Sequence, residues 1–143
     1  MIIKHTKNIF DEQGDAVCIT TNGIVKTNGE AVMGAGIAKE ANIRYNLARE
    51  LGTKLRNGGN HCYIIDRSDK AVISFPTKNH WRDDSSIELI KQSCSEIKRL
   101  ADENNWNCVL LPMVGCGCGR LDATIVRKIM EEILDDRFVL CLR

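Results

Sequence analysis

The stretch AVCITTNGIVKTNGEAVMGAGIAKEA, residues 16–41, runs from an apolar pentapeptide through a glycine-rich loop into a segment of helical period. AVCIT (16–20) lies between DEQGD and TTNG, and a short apolar run bounded by turn residues predicts a buried strand. Ile37, Ala41, Tyr45 and Ala48 then recur at helical spacing, predicting one helix that ends near Gly52. Gly29, Gly34 and Gly36 fall between strand and helix. Glycine there serves either a tight turn or a backbone that must approach a ligand closely.

A second stretch repeats the arrangement. CVLLPM (108–113) is continuously apolar and predicts a central strand; VGCGCGRLDAT (114–124) follows it, and Ile125, Ile129 and Ile133 mark the next helix. If the two strands are parallel, both loops open at one sheet edge. Each then offers free backbone N–H groups and the positive end of a helix, which suits a phosphate. Two such loops facing each other suit a diphosphate. The pattern is not GxGxxG, because Lys39 holds the third glycine position, and no GKS or GKT follows a glycine loop. The common dinucleotide and nucleoside-triphosphate motifs are therefore missing.

The rest of the chain fits one α/β domain. MIIKH predicts a first strand and FVLCL a last one. HCYIID and KAVISF are short strands divided by Arg67-Ser68-Asp69, a hairpin. Ile87, Ile90, Cys94, Ile97 and Ala101 mark a long amphipathic helix capped by Ser85 or Ser86. The order β-β-α-β-β-α-β-α-β predicts a mixed sheet covered by helices on both faces, with ligands bound beyond the carboxyl ends of strands.

Bulk properties narrow the partners. A chain of 143 residues favours one domain with a real core. A net charge of +1 gives no broad field for polyanions, though a local basic site on a nucleic-acid strand stays open. No apolar run is long enough to span a bilayer, so no membrane partner is expected. MIIKHTKNIF lacks a signal-peptide pattern, and an odd seven cysteines fit a reducing cytoplasm. Cys18, Cys108 and Cys141 lie inside apolar runs, where cysteine acts as a small hydrophobe. Cys116 and Cys118 form one CxC without matching ligand spacing, so no metal is expected.

NGEAVMGAGIAKEA (28–41) and LPMVGCGCGRLD (111–122), after TKNIFDEQGDAVCITTNG, together resemble the macrodomain, a module that binds ADP-ribose. The resemblance covers residues 1–143 and implies a single three-layer α/β/α domain around a central mixed sheet, with no cofactor. It implies that the first loop, with Met33, Gly34, Ala35, Gly36 and Ile37, embraces the distal ribose. Asn22 and Asn28 flank that loop and could bind ribose hydroxyls, Asn28 being preferred because it adjoins VMGAGIA. The second loop, from Val114 through Gly115, Cys116, Gly117 and Cys118 to Gly119, takes the diphosphate. Asn8 and Ile9, in KNIF, fall where many macrodomains carry an aspartate for the adenine amino group. Asparagine can still accept that hydrogen bond, without the charge.

SFPTKNHWRDDS (74–85) narrows the resemblance. It is similar to the segment of macrodomains that remove ADP-ribose from DNA bases, the antitoxin partners of DNA-modifying toxins. Its Thr77-Lys78 also matches the lysine segment of the glycohydrolase that clears ADP-ribose from acidic protein side chains. The resemblance thus implies Lys78 as catalytic residue, with His80 and Trp81 touching the substrate. A neutral lysine can attack the anomeric carbon, and a charged one can stabilise the leaving base or position water. Both roles stay open, as does a solvated loop lysine. The protein-directed enzyme has an aspartate where this chain has Gly119, and the DNA-directed group has glycine there. Asp122, three residues on, reads as a helix cap. The implied partner is ADP-ribose or an ADP-ribosylated substrate, single-stranded DNA first. Protein esters, O-acetyl-ADP-ribose, ADP-ribose-1''-phosphate and a non-catalytic reader are the alternatives.

Overall fold

A computed structural model describes all 143 residues. Six strands form one sheet: β1 (Ile2–His5), β2 (Ala16–Thr21), β3 (Ile64–Asp66), β4 (Ala71–Pro76), β5 (Val109–Leu111) and β6 (Phe138–Leu142). Their order is β1-β6-β5-β2-β4-β3. All neighbours are parallel except β3 and β4, which pair antiparallel across the Arg67–Asp69 turn. In that turn Asp66 Oδ2 accepts from the backbone N–H and the hydroxyl of Ser68.

Four helices cover the sheet: α1 (Gly36–Tyr45), α2 (Ala48–Gly58), α3 (Ile87–Asn104) and α4 (Ala123–Ile133). The central strand β2 serves both faces by alternation. Ala16 and Cys18 pack with Ile90, Cys94 and Ile97 of α3 and with Val126 and Met130 of α4. Val17 and Ile19 pack with Ala38 and Ala41 of α1 and with Leu51 and Leu55 of α2. A continuously apolar strand is what burial on both faces requires. Cys18 and Cys94 sit in this core with thiols pushed up by burial, Cys94 to about 12. All seven cysteines are free.

The expected single helix from Ile37 to Gly52 is two helices. Asn46 adopts a left-handed conformation (φ 59°) and ends α1, while Asn42 Oδ1 accepts from the N–H groups of Leu47 and Ala48 and starts α2. Asparagine tolerates the left-handed region and substitutes for backbone partners, so the break costs little. Gly52 lies inside α2 rather than at a helix end. A Cβ there would collide with the carbonyl oxygen of Gly29, so its bareness lets α2 cross the first loop. At α3 the cap is Ser86, whose hydroxyl accepts from Leu89 N–H. Asp122 caps α4, accepting from Thr124 and Ile125. The strands are also shorter than the apolar runs that predict them: β3 begins at Ile64 and β5 spans only Val109–Leu111.

Candidate functional site

Parallel pairing of β4, β2 and β5 brings three strand ends to one edge of the sheet. β2 leads into the first glycine loop, β5 into the second, and β4 into Thr77 and Lys78. Between them opens a cavity of about 680 Å³. Its wall includes Asn22, Met33, Gly34, Ala35, Gly36 and Ile37 from the first loop and the start of α1. Thr77, Lys78 and Trp81 come from the segment after β4, and Gly115, Gly117, Cys118 and Gly119 from the second loop. Lys78 is the one charged side chain in the wall, and no carboxylate lines it.

The backbone supplies most of the polarity. The other three helices have their first N–H groups met by side chains: Asn42 at α2, Ser86 at α3 and Asp122 at α4. α1 has no such cap; Ala35 precedes it without a side-chain hydrogen bond, and Gly36, Ile37 and Ala38 line the cavity. Unpaired N–H groups at a helix N-terminus attract anions.

The glycines sort by cause. Gly115 has φ +74°, and a Cβ would come within 2.8 Å of Ile90 Cδ1, so backbone and packing both require glycine. At Gly119 a Cβ would collide with the Ser85 hydroxyl and stand 2.5 Å from the Gly115 carbonyl oxygen. Any side chain there would have to displace both. Gly34 and Gly117 differ. Neither has a left-handed φ, and no protein atom lies within 4 Å of where a Cβ would stand. A side chain at either position would start into open space, and both residues belong to the cavity wall.

The segment after β4 is tied to both loops. Thr77 N–H donates to Thr21, Ser86 N–H to Thr77, and Ser85 N–H to Gly119. Asn60 Nδ2 holds the Lys78 carbonyl at 3.1 Å and Asn79 Oδ1 at 3.0 Å. Lys78 Nζ donates to the carbonyls of Trp81 (3.3 Å) and Asp83 (3.2 Å) and has no carboxylate partner. Two hydrogens of Nζ are thus engaged. The remaining position carries a third N–H in the ammonium form or a lone pair in the amine form. Trp81 is 47% exposed, with the Arg82 guanidinium 4.8 Å from its ring centre and the His80 ring tilted beside it at 5.2 Å.

Several expected site residues fall outside the cavity wall. Asn28 is exposed and folds its amide back on Glu30. Asn22 lines the cavity, yet its amide braces the first loop between Val32 and Ile24. Asn8 Oδ1 accepts from Phe10 N–H and caps a short 3-10 turn at Ile9–Asp11, with Ile9 buried beside it. His80 faces Trp81 and the Arg82 N–H. Val114 is buried in the core. Cys116 donates to the Val114 carbonyl, and burial, then the Asp122 charge, raise its thiol pKa. The sequence reading missed Thr20, Thr21, Val32, Ala38, Pro112, Met113 and Ser85 in the wall. Only Ser85 carried a signal, as one of two competing cap serines.

A family model described as the Macro domain matches residues 26–130. The chain belongs to the Macro domain family. It is 32% identical over 118 residues to a DNA ADP-ribosyl glycohydrolase of Mycobacterium tuberculosis, an alignment covering 76% of this chain and 34% of that protein. It is 25% identical over 119 residues to ADP-ribose glycohydrolase OARD1 of Bos taurus, covering 82% and 78%. Among solved structures, the macrodomain of Mycobacterium tuberculosis DarG superposes with a TM-score of 0.82 at 26% identity, covering 100% of this chain and 98% of that one. This macrodomain spans about a third of the length of the DNA ADP-ribosyl glycohydrolases it matches.

Proposed function

We propose that this macrodomain binds ADP-ribose in the cavity and hydrolyses an ADP-ribosyl linkage there, with nucleic acid as the carrier of the ADP-ribose. The observation that carries the binding is the uncapped N-terminus of α1, opening on a cavity whose wall holds one lysine and no carboxylate. That wall suits an anion whose phosphates lie on backbone N–H groups. The first loop takes the distal ribose and its neighbouring phosphate. The Gly115–Gly119 loop takes the diphosphate.

Lys78 is the catalytic residue of this proposal. Its Nζ is held by two carbonyls at the wall, and in this proposal the anomeric carbon of the distal ribose lies against it. As an amine it attacks that carbon, the glycosidic bond breaks and the proton released from nitrogen goes to the departing base; the ribose ring then opens to an imine, and water hydrolyses it to free ADP-ribose and the lysine. As an ammonium it stabilises the departing base while water attacks directly. Trapping with borohydride separates the two, because only the first forms a reducible covalent adduct. Trp81, exposed at the wall and flanked by Arg82 and His80, offers a face on which a nucleobase stacks.

The matched nucleic-acid enzymes support the choice of carrier, and so does the crowding at Gly119, which leaves no room for an acidic side chain. The test incubates the protein with single-stranded DNA bearing ADP-ribose on a base and follows release of ADP-ribose. Release that falls at least 100-fold in Lys78→Ala supports the reading. Release unchanged in Lys78→Ala removes the lysine mechanism. Tight ADP-ribose binding without turnover on DNA, protein ester, O-acetyl-ADP-ribose or ADP-ribose-1''-phosphate would make the protein a reader.

A further inference from the structure

Ser85 stands two residues before α3, and Ser86 does the capping, so the Ser85 hydroxyl has no role in starting that helix. Its backbone is fixed: the N–H donates to the Gly119 carbonyl at 2.9 Å, and the next N–H donates to Thr77 at 2.7 Å. The side chain is held under the second glycine loop. Ser85 Cβ lies 3.3 Å from where a Gly115 Cβ would stand, and Oγ fills the space a Gly119 Cβ would need. The residue is 7% exposed and lines the cavity. No protein group pairs with its buried Oγ.

Buried hydroxyls are nearly always paired, so an unpaired one asks for a partner. Tyr45 and Asn60 also carry unpaired buried oxygens, but neither lines this cavity. Ser85 alone combines an unmet hydroxyl with a place in the wall, between the second loop and the strand end that bears Lys78. We infer that Ser85 is a ligand-binding residue of the site: its hydroxyl donates to an oxygen of the bound ADP-ribose, on the diphosphate or the distal ribose. The bareness of Gly119 then has a second use. It leaves the hydroxyl the position beside the loop that a side chain would otherwise fill.

This inference rests on the ADP-ribose reading, and the experiment separates the two. Wild type, Ser85→Ala and Ser85→Cys are titrated with ADP-ribose and with ADP by calorimetry, and each unliganded protein is melted. The expected result is a five- to tenfold loss of ADP-ribose affinity in both variants, with a melting temperature equal to or above wild type, since an unpaired buried hydroxyl does not stabilise the empty fold. An equal loss for ADP places the contact on the phosphates; a loss for ADP-ribose alone places it on the distal ribose. Affinity within twofold of wild type, or a fall in melting temperature that accounts for the loss, overturns the assignment. Wild type that binds neither compound defeats the ADP-ribose reading itself, and the assignment with it.

Discussion

Lys78 and Trp81 belong to one short segment, yet they do different work in this account. Lys78 is bound to main-chain carbonyls and fixed at the cavity wall; Trp81 is exposed beside it. Their substitution should therefore separate. Trp81→Ala should weaken binding of the ADP-ribosylated strand by about 1–3 kcal/mol, the usual worth of a base stacked on an aromatic ring. Affinity for free ADP-ribose should stay near wild type. Calorimetry with both ligands checks this, and equal losses for both would place Trp81 against ADP-ribose itself. At this scale the sequence was legible where one short segment lines the cavity, as Thr77, Lys78 and Trp81 of FPTKNHWR do. It was not legible for Asn28 against Asn22. Both flank a glycine loop, and only the folded path of residues 22–32 puts one in the wall and turns the other back on Glu30.

Elements show a similar division. AVCIT and CVLLPM read correctly as buried strands because burial on both faces leaves a continuously apolar run. The helix after the first loop did not. Tyr45 and Ala48 keep the helical spacing across a left-handed Asn46, so periodicity runs through a break that side-chain hydrogen bonding from Asn42 creates. The α1 N-terminus acquires its meaning only by comparison: Ser86 and Asp122 cap α3 and α4, and Asn42 meets the first N–H of α2 although Leu47 itself makes no cap bond. Asp122 belongs to this scale. It accepts from Thr124 and Ile125 and does not line the cavity. Asp122→Ala should cost about 1 kcal/mol of stability by loss of the cap. Turnover at saturating substrate should be unchanged. Denaturant unfolding and the release assay measure the two parts; loss of turnover with normal stability would instead give Asp122 a chemical role.

For the whole molecule, topology decides the site. Parallel β4, β2 and β5 send three sequence-distant segments, near residues 22–37, 77–85 and 115–119, to one sheet edge. Each segment could be read alone. Their convergence required strand order, which local sequence does not encode. Far from the site, Arg137 joins Asp135 to Asp102 of α3, with contacts of 2.9 and 2.7 Å. Hydrogen bonds from Arg137 hold the Asp135 carboxyl down at about 2 against an ordinary 3.8. A carboxylate with a depressed folded-state pKa stabilises the fold above its unfolded value, and that contribution fades as pH falls through the folded one. Stability should thus drop between about pH 4 and pH 2, and Asp135→Asn should flatten that part of the profile. Thermal melts across this range check it; an identical slope in the variant would show that other carboxylates set the acid limb.

The central claim, that ADP-ribose occupies this cavity against bare backbone, is tested most directly at Gly117. No protein atom lies within 4 Å of where its Cβ would stand, and its backbone is not left-handed, so a branched side chain starts into open space and the melt reports whether the empty fold takes it. The measurement is a calorimetric titration of wild type and Gly117→Val with ADP-ribose, beside a melt of each unliganded protein. The account predicts one-to-one binding in wild type and at least a tenfold loss in the variant, with melting temperatures within a few degrees. Undiminished binding in a folded Gly117→Val protein would contradict it.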